Sequence, residues 1–166
     1  MPLRPSQLWK QMPPEARTRA AEAFWNEEKA AEGPHAQHVE AIYAIAKRLN
    51  FRARSVQSLP IERRTRQLAI MSDISDTIAT RALIAHHLAS QRPMMSAFLD
   101  ALGLAHEDGL IADETVTPPT RDRLASAAGT LAATFPSEDV SLYLNTLLTQ
   151  DPDTWSGLEG LPQLSS

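Results

Sequence analysis

The chain has 166 residues, a net charge of −4, 43% hydrophobic residues and no cysteine. This length favours one domain with a core of its own, and the lack of cysteine excludes disulfides and thiolate metal sites. No apolar run approaches the roughly 20 residues that a membrane span requires. The N-terminal sequence MPLRPSQLWKQM has no apolar signal-peptide core. We therefore expect a cytoplasmic protein.

Alanine and leucine are abundant, and alternating β-branched residues are rare, which predicts an all-α fold. No hairpin signal of the Asn-Gly kind is evident in the pattern. We expect an irregular bundle of about seven to nine mostly short helices around a central helix pair. The expected organisation is a single all-helical domain over residues 1–166, with a possible subdomain division near residues 72–73.

In the first part of the chain, prolines and glycines separate the predicted helices. The third helix should begin near His35, after a break at Gly33-Pro34, and end at Asn50 in the left-handed conformation. We expect Tyr43 to lie on its packing face together with the neighbouring isoleucines. The helices predicted before residue 72 cover about 6–12, 13–32, 35–49, 52–59 and 61–71.

The densest apolar patterning lies in the stretch from Ile74 to Gly103. It predicts two consecutive helices joined at Arg92-Pro93, and these form the central pair of the expected bundle. Asp73 or Ser75 can cap the first helix through its side-chain oxygen. Gly103 fits the end of the second, where a positive φ is easiest without a Cβ.

After the central pair, the segment His106-Glu-Asp-Gly109 is typical of a turn, and we expect Leu110-Ile111 to pack onto the core. Thr117 followed by two prolines predicts the start of the next helix. Further helices are expected at about 118–135 and 137–148, with a last short turn after residue 152.

The charge is unevenly distributed, because residues 47–66 carry seven basic side chains against Glu62 alone. One explanation is that oppositely charged faces pair with each other inside one molecule. The other is a basic docking surface for an acidic partner. The basic residues, which with Gln57 are the candidates for binding a partner or a nucleic acid, are Lys47, Arg48, Arg52, Arg54, Arg63, Arg64 and Arg66.

Residues 45–59, IAKRLNFRARSVQSL, contain an apolar helix end, a short turn and a second polar helix. Their apolar positions are Ala46, Leu49, Phe51, Val56 and Leu59. This pattern resembles the helix-turn-helix motif of many transcription regulators. The resemblance implies that Arg52, Arg54 and Gln57 lie on an exposed recognition helix, where such side chains can read base edges.

Arg81 lies close to the apolar stripe of the first central helix. A buried guanidinium is costly unless a carboxylate or carbonyl meets it, so a structural ion pair is one explanation. The alternative is a small anionic ligand held between helices. Such a ligand-sensing pocket would be lined by Arg81, His86 and Met94 or Met95.

No catalytic signature is present: there is no GxSxG, no nucleophilic cysteine, no glycine-rich phosphate loop and no paired-carboxylate motif. The five histidines do not form a recognisable ligand set, and we expect them to be surface residues or internally hydrogen-bonded ones. We therefore expect no enzymatic activity, no metal and no cofactor.

The favoured hypothesis is a non-catalytic helical scaffold or partner-binding module, whose partner is a protein or another acidic surface. The alternatives are a helix-turn-helix DNA-binding regulator and a small-ligand sensor. We expect no membrane association, and the oligomeric state stays open. Exposure of residues 52–59 is the feature that keeps docking of either DNA or protein possible.

Overall fold

The computed structural model describes residues 2–30 and 35–165. This part of the chain is helical apart from one short hairpin and its loops, so the all-α prediction is confirmed. It contains ten α-helices, where about seven to nine were expected, because even short segments such as Pro152–Trp155 are helical. The predicted break at Gly33-Pro34 lies outside the described residues. None of the described helices combines the length and the apolar character needed to span a membrane.

Residue contacts divide the chain into two compact units. One unit is Pro5–Ala89, and the other comprises the described residues of Met1–Arg4 and Ser90–Ser166. The connection between the two central helices, at Gln91, therefore lies at the boundary of the units. The single domain and the division near residues 72–73 stay predictions.

The unit Pro5–Ala89 is built from six helices, of which the last continues to Ser90. They are α1 (Pro5–Gln11), α2 (Pro14–Ala30), α3 (Ala36–Leu49), α4 (Ala53–Gln57), α5 (Ile61–Ile70) and α6 (Asp76–Ser90). The most extensive packing in this unit is that of α2 along α5, and α3 contacts α2, α4 and α5. Its largest fully buried side chains include Trp9, Phe24, Trp25, Ile45 and Leu68.

Two hydrogen bonds attach α1 to the connection after α5 and to the first residue of α6. The indole Nε1 of Trp9 donates to the carbonyl oxygen of Met71 at 2.7 Å. The backbone N–H of Ser6 donates to the carboxylate Oδ1 of Asp76 at 3.0 Å, which satisfies one of the unpaired donors of the first turn of α1. The N-terminal helix is thereby fixed by groups about 60 to 70 residues away in sequence.

Three helix ends follow the predictions from local sequence. Asn50 ends α3 in the left-handed region with φ 57° and ψ 41°. The Ser75 hydroxyl caps α6 by accepting from the N–H of Ile78 at 3.2 Å. Gly103 ends α7 (Arg92–Leu102) with φ 70°. Each of these conformations depends on the chemistry of one residue, so the local sequence is sufficient to predict it.

The prediction that Tyr43 lies on the packing face of α3 is wrong, because this residue is 62% exposed. The buried residues His38, Ala41, Ile42, Ile45 and Ala46 define the inward face. At 100° per residue Tyr43 lies 140° from His38, well away from the centre of that face. The aromatic ring therefore points to solvent.

The second unit consists of three long helices, a hairpin and short C-terminal turns. Its elements after α7 are β1 (His106–Glu107), β2 (Leu110–Ile111), α8 (Arg121–Thr134), α9 (Ser137–Gln150) and α10 (Pro152–Trp155), followed by 3-10 turns at Ser156–Leu158 and Pro162–Leu164. α7 packs on α8, and α8 contacts α9. The Phe98 ring lies 5.6 Å from Tyr143 and 5.9 Å from Trp155, measured between centroids, in the core of the unit.

The turn predicted at residues 106–109 is present, but it forms a small antiparallel hairpin in which His106 pairs with Ile111. Asp108 and Gly109 have φ 50° and 92°, the positive values of a type I′ turn. Asp-Gly is itself a signal for this turn, so the expectation that no hairpin signal is present was wrong. Leu110 is 46% exposed and does not enter the core as expected.

The start of α8 also differs from the prediction at Thr117. The helix begins at Arg121, and Thr120 is its cap, with the hydroxyl accepting from the N–H of Arg123 at 3.3 Å. Proline at 118 and 119 precedes the helix instead of entering its first turn. The hydroxyl that satisfies a helix N–H is thus that of Thr120, three residues after the predicted start.

Replacing Gly109 by alanine should destabilise the protein. A Cβ at this position would lie 2.7 Å from the Met95 Cβ and 3.3 Å from the Arg92 carbonyl oxygen, and the residue has φ 92°. We expect a loss of roughly 1–3 kcal/mol in the free energy of unfolding, measured by urea denaturation. Gly129 inside α8 is the matched control: its Cβ would meet nothing within 4 Å. Gly129→Ala should stabilise by up to about 1 kcal/mol, and equal effects of the two substitutions would contradict this account.

Candidate functional site

The basic residues of segment 47–66 lie at the end of α3, on or directly before α4, and on α5. Six of them are exposed, and no ion pair within the described residues involves any of the six. These six, called the basic surface below, are Lys47, Arg48, Arg52, Arg54, Arg63 and Arg66. Within residues 2–30 and 35–165 these six cations therefore have no carboxylate at ion-pair distance, and pairing of oppositely charged faces stays a prediction.

Within the short helix α4, which packs on α3, Val56 is the fully buried side chain. Arg52 precedes it in an extended conformation, and the Ser58 hydroxyl donates to the Arg54 carbonyl oxygen at 3.0 Å. This bond satisfies one of the carbonyls that a helix end leaves free. The candidate residues Arg52, Arg54 and Gln57 are all exposed.

Arg64 differs from the other candidates of the segment because its side chain is only 12% exposed. Its Nη1 donates to Glu28 Oε1 at 3.1 Å, and its guanidinium carbon lies 4.9 Å from the centroid of the Trp25 ring. The carboxylate and the ring face both favour a cation at this position. Arg64 therefore connects α5 to α2 and is not part of the exposed basic surface.

Arg81 also has a partner, since its guanidinium forms an ion pair with Glu27 of α2. This matches the explanation of Arg81 as a structural ion pair. The other residues of the suggested ligand pocket, His86, Met94 and Met95, are buried. Both methionines belong to the other compact unit, so a shared pocket stays a prediction.

Sequence reasoning missed three exposed apolar side chains next to the basic residues. Tyr43, Phe51 and Ile70 are 62%, 51% and 53% exposed. Among the described residues, the other large hydrophobic side chain exposed to this degree is Leu110, in the second unit. A helical projection would have revealed Ile70, because it lies 180° from Ile61 on α5.

Two histidines act as internal hydrogen-bonding groups, as predicted. His38 Nδ1 accepts from the N–H of His35 at 3.2 Å, and its Nε2 lies 2.9 Å from the Phe24 carbonyl oxygen. His106 Nε2 lies 2.7 Å from Asp100 Oδ1, and its Nδ1 accepts from the Gly109 N–H at 3.1 Å. Residues 2–30 and 35–165 contain no group of three or more histidine or carboxylate side chains that could hold a metal ion.

His87 is buried in α6, with Nδ1 placed 2.8 Å from the carbonyl oxygen of Leu83. Burial, together with the charge of neighbouring His86, lowers the pKa of His87 from 6.5 to about 4. Because the folded state resists protonation, Nδ1 carries the proton of the neutral ring and donates it to Leu83. Burial also lowers the pKa of His38.

A half-open groove of about 190 Å³ lies in the second unit between α8, α9 and the last 3-10 turn. Its lining is mostly apolar and contains no charged side chain: Ala132, Ser137, Val140, Pro162 and Gln163. The groove therefore offers no cationic side chain to an anion. None of the candidate residues for ligand binding lines it.

Comparisons with protein-family models, with curated proteins and with solved structures found no match to this chain. The candidate site is therefore defined by the residues of this chain alone. Its clearest feature is the exposed basic surface.

Arg64 should contribute to stability, in contrast to Arg66, two residues further along α5. Replacing Arg64 by methionine leaves Glu28 without its cation and removes the contact with the Trp25 ring, so we expect a loss of roughly 1–3 kcal/mol in the free energy of unfolding. Arg66→Met, at an exposed position, should change it by less than about 0.5 kcal/mol. Urea denaturation of both variants measures the difference, and an equal loss in both would rule out this assignment.

Acid should destabilise the protein through His87. The unfolded chain binds a proton at His87 below pH 6.5, whereas the folded chain does so only near pH 4. The stabilising contribution is present above pH 6.5 and is lost as the pH falls towards 4, by about 3 kcal/mol in total.

His87→Gln keeps a donor for the Leu83 carbonyl but cannot titrate, so it isolates this effect. The difference in free energy of unfolding between wild type and variant, measured by urea denaturation at several pH values, should shrink as the pH falls from 6.5 to 4. A difference that stays constant with pH would show that His87 is not the cause.

Proposed function

We propose that the protein is a non-catalytic helical module that binds an acidic protein partner through the basic surface. The observation that supports this most directly is that six exposed lysines and arginines lie on adjoining elements without an ion-pair partner in the described residues. Glu62 lies one turn before Arg66 on α5, yet the two are not paired. Charge left unpaired on one surface favours a partner of the opposite sign.

Duplex DNA is the alternative partner, and the shape of α4 makes it the weaker one. The helix has five residues, which corresponds to about 7.5 Å of length. In helix-turn-helix proteins the recognition helix lies in the major groove, which is about 12 Å wide, and contacts base edges with its N-terminal residues. Here Val56, the fourth of the five residues of α4, is buried against the unit, so little helix is left to enter a groove.

Binding to polyglutamate, followed by fluorescence anisotropy near 50 mM salt, tests the proposal against mixed-sequence duplex DNA. We expect polyglutamate to bind, to dissociate as salt increases, and to lose at least about tenfold in affinity for the double variant Arg52→Glu, Arg54→Glu. The anisotropy of a labelled duplex DNA should not increase when the protein is added, although non-specific DNA binding is strongest at low salt.

The matched control is the double variant Arg19→Glu, Lys29→Glu, which changes the net charge equally. Both residues are exposed cations of α2 outside the basic surface. The control should retain most of the affinity for polyglutamate. Equal losses in the two double variants would show that only net charge matters, and preferential binding of DNA would favour the alternative; either result contradicts the proposal.

A further inference from the structure

We infer that the acidic partner is an amphipathic segment, whose apolar side chains contact Tyr43 and Phe51 while its carboxylates meet the surrounding cations. This inference rests on the proposed function and specifies the chemistry of the partner. It starts from the distribution of exposed hydrophobic side chains. Three of the four large ones in the described residues lie within positions 43–70, among the basic surface.

On α3, apolar and basic side chains are direct neighbours. Tyr43 and Lys47 are four residues apart, so their side chains lie side by side on the exposed side of the helix. Phe51 follows the end of the same helix, and Arg52 comes directly after it. A ligand that contacts the two aromatic rings therefore also comes within reach of Lys47 and Arg52.

The backbone around Phe51 is fixed before any partner binds. Its N–H donates to the Ala46 carbonyl oxygen at 2.8 Å, and Asn50 has the left-handed conformation of a Schellman motif. In this motif the residue after the left-handed one often folds its side chain onto the helix, yet 51% of Phe51 stays exposed. An aromatic ring on a fixed backbone loses little conformational entropy on binding.

The exposed side of α5 repeats this combination. Arg63, Arg66 and Ile70 lie within about 60° of one another in helical projection, and all three are exposed. Arginine and tyrosine are the residue types that contribute most to the centres of protein interfaces. Isolated exposed hydrophobic residues are normal, but their grouping with unpaired cations on two helices is typical of a binding surface.

A single-stranded nucleic acid is the rival ligand, since aromatic and basic residues also bind bases and phosphates. Two features favour a peptide. Ile70 is aliphatic and offers no ring for base stacking. Glu40 and Glu62 are exposed on the same helices, α3 and α5, and would repel a continuous phosphate backbone, whereas a peptide can place a cation or a polar residue opposite them.

The test uses two synthetic peptides of equal length and equal glutamate content, one with alanine and one with leucine and phenylalanine between the glutamates. We expect the second to bind at least about fivefold more tightly in fluorescence anisotropy. The double variant Tyr43→Ala, Phe51→Ala should abolish this preference while it still binds the alanine peptide. Leu110→Ala, at a comparably exposed position of the other unit, should retain the preference.

The double variant Tyr43→Ala, Phe51→Ala should have the same circular dichroism spectrum and thermal midpoint as the wild type, since both aromatic side chains are more than half exposed. If both peptides bind equally well, the proposed function stands and this inference is wrong. If neither binds, both are wrong. Tighter binding of a mixed-sequence single-stranded DNA than of either peptide would replace the peptide with a nucleic acid as the ligand.

Discussion

The packing of α5 along α2 determines which side chains of the basic segment reach solvent. Leu68 is fully buried on α5, and Arg64 lies over Trp25 with its charge directed at Glu28. Once these two residues point inward, the helical period places Arg63 and Arg66 on the outer side. A run of three arginines within four positions is thus separated into one structural cation and two exposed ones.

The partly buried ion pairs of this unit are specific contacts between helices that are distant in sequence. Arg64 meets Glu28 and Arg81 meets Glu27, so consecutive glutamates of α2 hold α5 and α6. Removing water from such pairs costs free energy that their attraction only partly offsets, and they are therefore weak evidence for high stability. Their effect is to fix how α2 is rotated about its axis, because a rotated α2 would leave partly buried charges without partners.

Local sequence was sufficient for the helical fold class and for several helix ends. Asn50, Ser75 and Gly103 act through their own backbone or hydroxyl chemistry, which a short window contains. Ion pairs between residues far apart in sequence could not be predicted from such a short window. The partner of Arg64 is 36 residues away, so the basic segment looks uniform in sequence although one of its members is paired and largely removed from solvent.

The sequence predicts the basic residues of the candidate site but not its exposed apolar side chains. The sequence predicts Tyr43 on the packing face of α3, whereas its angle relative to the inward face is the better guide. Phe51 follows a helix end, where periodicity gives no information about direction. Exposure of both rings depends on how α3 is oriented in the unit, and that is a property of the tertiary structure.

The two components of the proposed interface have different physical roles. Two unit charges 10 Å apart in water interact with only about 0.4 kcal/mol, and salt at 0.15 M screens them over about 8 Å. Six cations therefore increase the rate of encounter with an acidic partner more than they lengthen the lifetime of the complex. Burial of exposed rings acts mainly on dissociation. A surface with Tyr43 and Phe51 among its cations can both attract a partner and retain it, which a purely charged surface at physiological salt does poorly.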